Sequence, residues 1–431
     1  MKENFKIIIL IVFLVAGVLG ILVFSGAIPI GDGNNETGAS GTVTLWGTVK
    51  LEAIGSTLEE FNLTHPDFVV RYVQKSINTF DRDLLEALAS GEGPDMFFLP
   101  DNLIFGYKNK IIPIPYDNFP VATFKKNFVG ASDVFLTSKG MLAMPIAVDP
   151  LVMYYNRSIL DANGVIYPPT YWDEFESLVP TLTKKDENNK IIKSAVALGQ
   201  FSNVTHAKEI LATLFMQSGN PIIVEEDGNF ISALNTYSSK YNLGSILEFY
   251  TNFADPLKNV YSWNRSFQSS NNAFSAEDLA FYFGYASELN LLINKNPNQN
   301  FLVAPMPQIR NETMKLTSAQ VTGIAVSSFS KNLTTAFYAA SQMVTGDFAA
   351  KFASAIGAIP VRRELIAKPP TDTFSPIFYA SALYARSWLD PSPKDTDDIF
   401  RSMVEKVLSN ILSPEESVRD ADARLWLLLI N

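Results

Sequence analysis

The stretch MLAMPIAVDPLVMYYNRSIL, Met141–Leu160, is apolar for many residues and carries one carboxylate, Asp149, in its middle. A charge taken out of water needs a partner, trapped water or a ligand. Two further polar or aromatic groups close apolar segments: Trp46 ends TVTLW, with Thr48 beside it, and Asp101 follows DMFFLP. Such residues can serve recognition, and carboxylates can also serve acid–base chemistry. Carboxylates accept charge-assisted hydrogen bonds, and an indole presents a flat apolar face. The motifs of catalysis are missing: no G-x-S-x-G elbow, P-loop, H-E-x-x-H or G-x-G-x-x-G. Acids are numerous, and their order in the chain singles out no pair at glycosidase spacing.

The elements around these residues give them an address. TVTLWGT reads as a strand, and Leu51, Ile54, Leu58 and Phe61 recur at helical spacing. FVVRYV, Phe68–Val73, is a second strand. Leu84, Leu85 and Leu88 share a helical face that stops at Gly91, and Asp95–Pro100 is a third strand. This β-α-β-α-β order predicts parallel strands with right-handed crossovers. Open α/β sheets bind ligands outside the carboxyl ends of their strands, which is where Trp46 and Asp101 fall.

Beyond Asp149 the pattern restarts. Pro150 fixes its own φ angle there, and Tyr154 and Tyr155 point to opposite sides of a strand. Pro168 and Pro169 precede a helix with Thr170 as N-cap and Asp173 three residues on. KKDENNKI and EEDGNF read as turns, LAFYFGY, NFLVAPMP and GIAVSSFS as strands, and most of the chain after Lys331 as helix. Trp172 and Trp426 read as packing residues, and His206 as a solvated helix residue.

The chain has 431 residues, enough for two domains or three. A net charge of −10 opposes nucleic-acid binding. With no cysteine, disulfides, thiol nucleophiles, thiolate metal sites and a lipid-modified cysteine are excluded. Two histidines, His65 and His206, leave little for a histidine metal cluster; neither a metal nor a cofactor is expected. At the N-terminus Lys2 and Lys6 precede Ile7–Phe24, an uncharged run of a length that crosses a bilayer. Small residues at Ser25–Ala27 keep a cleaved signal open beside an uncleaved transmembrane anchor. Either way the lysines stay inside and the rest is exported: it stands on the outer face of the cytoplasmic membrane, or is secreted or periplasmic if the segment is cleaved. Gly31–Gly41 is a flexible spacer.

Taken in order, GTVTLWGT, LEEFNLTHPDFVVRYV, LLEALASGEGPDMFFLP, the long LAMPIAVDPLVMYYNRSILDANGVIYPPTYWDEF, AEDLAFYFGY with FLVAPMP, and GAIPVRREL resemble the extracellular solute-binding proteins of ABC importers, the sugar-binding group that includes maltose-binding protein. The resemblance runs from Gly41 over nearly all of the chain. It implies an α/β, two-lobed periplasmic-binding-protein-like fold of type II, with discontinuous lobes joined by a hinge, behind the N-terminal helix. The division expected is 1–30 anchor or signal, 31–41 spacer, 42–148 with 306–360 as lobe one, and 149–305 with 361–431 as lobe two. The resemblance places Asp149 at the first crossing, on the floor of an interlobe cleft. It implies ligand contact for Trp46, Asp101 and Asp149, more weakly for Thr48, and for Tyr285, Trp388 and Trp263 as aromatic surfaces. The partners implied are a mono- or oligosaccharide, trapped by hinge closure, and the permease subunits of an ABC transporter.

The sequence departs from the maltose binders in GTVK after Trp46, where Lys50 replaces an acid, and in FGYA in place of NGPW. Maltose itself is therefore not the expected ligand, and Lys50 is available to an acidic group. Three other readings stand beside this one. The same fold could take a peptide, polyamine, phosphate ester or metal complex; the chain could be a surface carbohydrate-active enzyme; or it could be a sensor signalling to a membrane partner.

Overall fold

The computed structural model describes residues 38–234, 241–312 and 314–430. The N-terminal apolar run and most of the spacer lie outside the described residues. Among the described residues no helix is long and apolar enough to cross a membrane. The chain divides into two compact units. Unit one takes the residues up to Val148 together with Gln320–Lys368; unit two takes Asp149–Ala319 and everything from Pro369.

Unit one is built on β1 (Gly41–Gly47), α1 (Leu51–Thr64), β2 (Phe68–Gln74), α2 (Phe80–Ser90) and β3 (Met96–Pro100). The alternating apolar residues of β1 are buried at Val43 and Leu45. β1 runs parallel to both β2 and β3. Antiparallel to β3 lies the later half of a long strand, Thr322–Val326. α1 buries Ile54, Leu58 and Phe61 on one face, each such side chain stabilising the core by roughly 1.5–3 kcal/mol. Leu51, expected on that face, is the first residue of the helix and is exposed. α2 ends at Gly91 in the left-handed conformation, φ 75°, as the sequence predicts.

Unit two contains β4 (Ile191–Val196), α3 (Ala207–Gln217), β5 (Leu279–Tyr285), β6 (Phe301–Ala304) and α4 (Pro393–Leu408). Its central strand is the latter part of Met144–Asn156. Leu151–Tyr155 pairs antiparallel with β5, and Met153–Asn156 pairs antiparallel with β6. β5 also pairs parallel with β4. Along Met144–Asn156 every residue is buried except Asp149, which is half-buried. Tyr154 and Tyr155 are both buried, so neither ring is left to solvent.

The EEDGNF turn closes a hairpin, with Asp227 at φ 51° and Gly228 at φ 79°. Two successive positive φ angles give the turn whose twist matches the flanking strands. The helix start near Trp172 is shifted by one residue from the expected cap. Glu174, not Asp173, reaches back to accept from the Thr170 amide at 2.8 Å. Asp173 instead pairs with Arg310 at 2.6 Å.

Candidate functional site

The candidate residues fall into two groups, one in each unit. In unit one, Trp46 is half-buried near the end of β1, opposite Val73 on one side and Phe97 on the other. The Lys75 amide donates to the Gly47 carbonyl at 2.7 Å and continues the β1–β2 ladder past the end of β2. Side chains two apart share a face of a strand, so Lys75 follows Val73 onto the side of Trp46. Its Nζ sits 3.5 Å from the centre of the indole ring. Thr48 is half-buried in the bend that follows. The Tyr72 hydroxyl fixes that bend by donating to the Val49 carbonyl at 2.7 Å.

Asp101 opens the turn after β3 and is only 5% exposed. One carboxylate oxygen accepts from the Asn102 amide at 2.9 Å, the other from the Val321 amide at 3.1 Å. It therefore ties the end of β3 to the neighbouring long strand.

In unit two, Asp149 and Tyr285 are brought together by the turn after β5. The Ser287 amide donates to Asp149 Oδ1 at 3.0 Å. The Tyr285 amide donates to Glu288 Oε1 at 3.0 Å, and the Tyr282 hydroxyl donates to Glu288 Oε2 at 2.5 Å. The Tyr154 hydroxyl donates to the Tyr285 carbonyl at 2.8 Å. Glu288 is ion-paired with His206 Nε2, and Glu209 lies 4.0 Å from His206 Nδ1. The His206 ring meets Tyr285 edge-on, with centres 4.7 Å apart.

This cluster sets its own protonation. Burial pushes the Asp149 carboxyl up to about 7, against the Ser287 hydrogen bonds; the charge of Glu288 adds to the rise and His206 opposes it. Burial works to raise Glu288, but the hydrogen bond and charge of His206, with Tyr282 and the Tyr285 amide, hold it below its usual range. Burial works to lower His206, and Glu288 outweighs it, so the imidazole is raised. The pairing of His206 with Glu288 thus favours the charged form of each, while burial favours the protonated form of Asp149.

His206 is thus not a solvated helix residue: it stands at φ 62° just before α3, tied to a carboxylate 82 residues away. That pairing is invisible to local periodicity. Glu288 and Lys75 were missed for the same reason. The usable signals were that His206 is one of two histidines and that Glu288 closely follows the strand LAFYFGY.

Trp263 lies apart, with no exposed surface. It stacks on Phe267 at 4.4 Å and donates from Nε1 to Asn203 Oδ1 at 3.1 Å. Trp388 is half-buried and stacks on Phe400 of α4 at 6.2 Å. Its segment is pinned two residues on, where buried Asp390 accepts from Lys208 Nζ and from Thr396 Oγ1, each at 2.9 Å. Among the described residues no group of histidines and acids has the makings of a metal site.

The fold has known counterparts. A cyclic α-maltosyl-1,6-maltose binding protein from Arthrobacter globiformis matches 90% of this chain and 98% of its own, at TM-score 0.73 and 16% identity. A cyclo/maltodextrin-binding protein solved with maltotetraose matches 92% and 98%, at TM-score 0.71 and 17% identity. The sugar-binding protein MalE from Xanthomonas citri matches 90% and 97%, at TM-score 0.70 and 18% identity. At these identities the likeness establishes the fold, the α/β fold of the maltodextrin-binding proteins of ABC importers. An uncharacterized lipoprotein of Streptomyces antibioticus is 28% identical over 34% of this chain, and the chain spans about a third, 35%, of that relative's length. A family model described as bacterial extracellular solute-binding protein matches residues 49–357, more than half of the sequence, and the chain belongs to that family.

Proposed function

We propose that this protein is an extracytoplasmic receptor that captures a carbohydrate by hinge closure and delivers it to the permease subunits of an ABC importer. What supports this reading is that unit one carries an aromatic plate at a strand end, Trp46, and unit two carries a hydrogen-bonding cluster, Asp149, Tyr285 and Glu288. Pyranose rings need both: apolar C–H faces pack on aromatic rings, and hydroxyls take paired donors and acceptors. The structural relatives, one solved with maltotetraose and one a cyclic α-maltosyl-1,6-maltose binding protein, support the same ligand class. Trp46, Thr48, Asp149, Tyr285 and Trp388 contact the ligand in this reading. Asp101 and Trp263 act from behind, holding the backbone and the core that carry the others.

Tethering by the segment Ile7–Phe24 completes the proposal. It places the protein on the outer face of the cytoplasmic membrane, or free outside it if the segment is cleaved. The sequence has no cysteine to lipidate, which favours this segment over a lipid as the proposed tether. A polyamine ligand is less well served. His206 offsets Glu288, and Asp149 is near half-protonated at neutral pH, so little net negative charge remains to attract an amine.

A thermal-shift screen of the full-length chain against saccharides, peptides and amines tests the reading. A matching sugar at about 100-fold over its Kd stabilises the protein by about 2.7 kcal/mol. Shifts by peptides or amines alone would overturn the carbohydrate assignment, and turnover of a bound sugar would point to an enzyme.

A further inference from the structure

The ammonium of Lys75 lies 3.5 Å from the centre of the Trp46 ring, on the residue offered above as a stacking plate. A ring bound on that face meets a positive charge first. Among the described residues Lys75 has no carboxylate within ion-pair distance. Asp83 is near enough to feel its charge, but Asp83 is held first by the Thr79 hydroxyl and then by Arg82. The ladder bond at Gly47 holds the Lys75 backbone beside Trp46, the ammonium rests over the indole, and no carboxylate pairs with it among the described residues. Lys50, exposed in the turn just after Trp46 and Thr48, adds a second positive group to the same end of β1.

We propose, resting on the carbohydrate reading, that Lys75 makes the protein selective for saccharides bearing a carboxylate, that is, uronic-acid sugars. A neutral pyranose stacking on Trp46 must displace the ammonium and forfeit its cation–π contact. A uronate keeps the ammonium in place and pairs its carboxylate with it, while the ring packs alongside. The single compact charge of a lysine suits a singly charged carboxylate; a phosphate ester calls for the bidentate fork of arginine or several cations.

The test is calorimetric titration of the full-length chain with trigalacturonate and with its carboxyl-reduced, neutral counterpart, within a wider panel of neutral and acidic di- and trisaccharides. The wild type is expected to bind the acidic member of a matched pair at least tenfold tighter, with a preference that shrinks as salt rises. Lys75→Met keeps the apolar stem and removes the charge. It is expected to bring the matched pair within about threefold, by weakening the acidic sugar and strengthening the neutral one. An unchanged preference in Lys75→Met, or a wild type that binds neutral sugars as well as acidic ones, overturns this inference and leaves the carbohydrate reading standing. Binding of no saccharide at all overturns both.

Discussion

Replacing Asp149 by Asn isolates the electrostatics of unit two. Burial moves this carboxyl from the ordinary 3.8 to about 7, with the Ser287 amide opposing and Glu288 assisting. The folded chain therefore holds the proton more tightly than the unfolded chain. Below about pH 4 both states are protonated and the site costs nothing. Above about pH 7 the fold must carry the buried charge. At about 1.36 kcal/mol for each tenfold difference, the full cost is about 4 kcal/mol, and about 2–3 kcal/mol of it develops between pH 5 and pH 8. Stability is thus lost as pH rises through that window. Asn keeps an oxygen for the Ser287 amide and carries no charge. The Asn variant is expected to gain on the wild type from pH 5 to about pH 7 and to level off above it, ending about 2–4 kcal/mol more stable. Urea unfolding of the ligand-free chain, followed by tryptophan emission, reads this directly, since Trp172, Trp263, Trp388 and Trp426 all lie in unit two. His206, raised by Glu288, also contributes stability that fades as pH rises. It remains in the variant, so the difference between the two proteins reports Asp149. Parallel stability curves across pH 5–8 would refute the reasoning.

Other outcomes follow from individual contacts. Trp46→Ala is expected to weaken saccharide binding at least tenfold while moving the melting temperature little, because the ring is only half-buried. Calorimetry and thermal unfolding on the same sample separate the two effects. Lys208→Met leaves Asp390 buried without its ammonium, breaking a pair whose partners are both largely buried. It should cost roughly 3–5 kcal/mol, readable as a lowered urea midpoint. Gly228→Ala places a Cβ at φ 79° in the hairpin turn and should cost roughly 1–2 kcal/mol, whereas Asn at the same position should cost less. Equal losses for Ala and Asn would argue against the turn geometry.

Local rules located much of this molecule. The parallel β1–β3 unit, the Gly91 stop and the Asp227–Gly228 hairpin depend on periodicity and on residues with special φ preferences, both properties of short segments. Asp149 stood out because nothing polar surrounds it in sequence, and it is the one residue of its strand that is not buried. The charged network around it was not legible. Glu288 and His206 are 82 residues apart and meet only when the turn after β5 is folded against the start of α3. Lys75 reaches Trp46 through strand pairing, which no local pattern specifies. Near Trp172 the cap falls to Glu174, and Arg310, distant in sequence, pairs with both Asp173 and Glu174.

Central to the proposal is that saccharide affinity depends on Trp46, in unit one, and on Asp149, in unit two. The most direct measurement is calorimetric titration of wild type, Trp46→Ala and Asp149→Asn with the saccharide that gives the largest thermal shift. The account predicts that each substitution weakens binding tenfold or more although Asp149→Asn stabilises the free protein. Full affinity in either variant would contradict it.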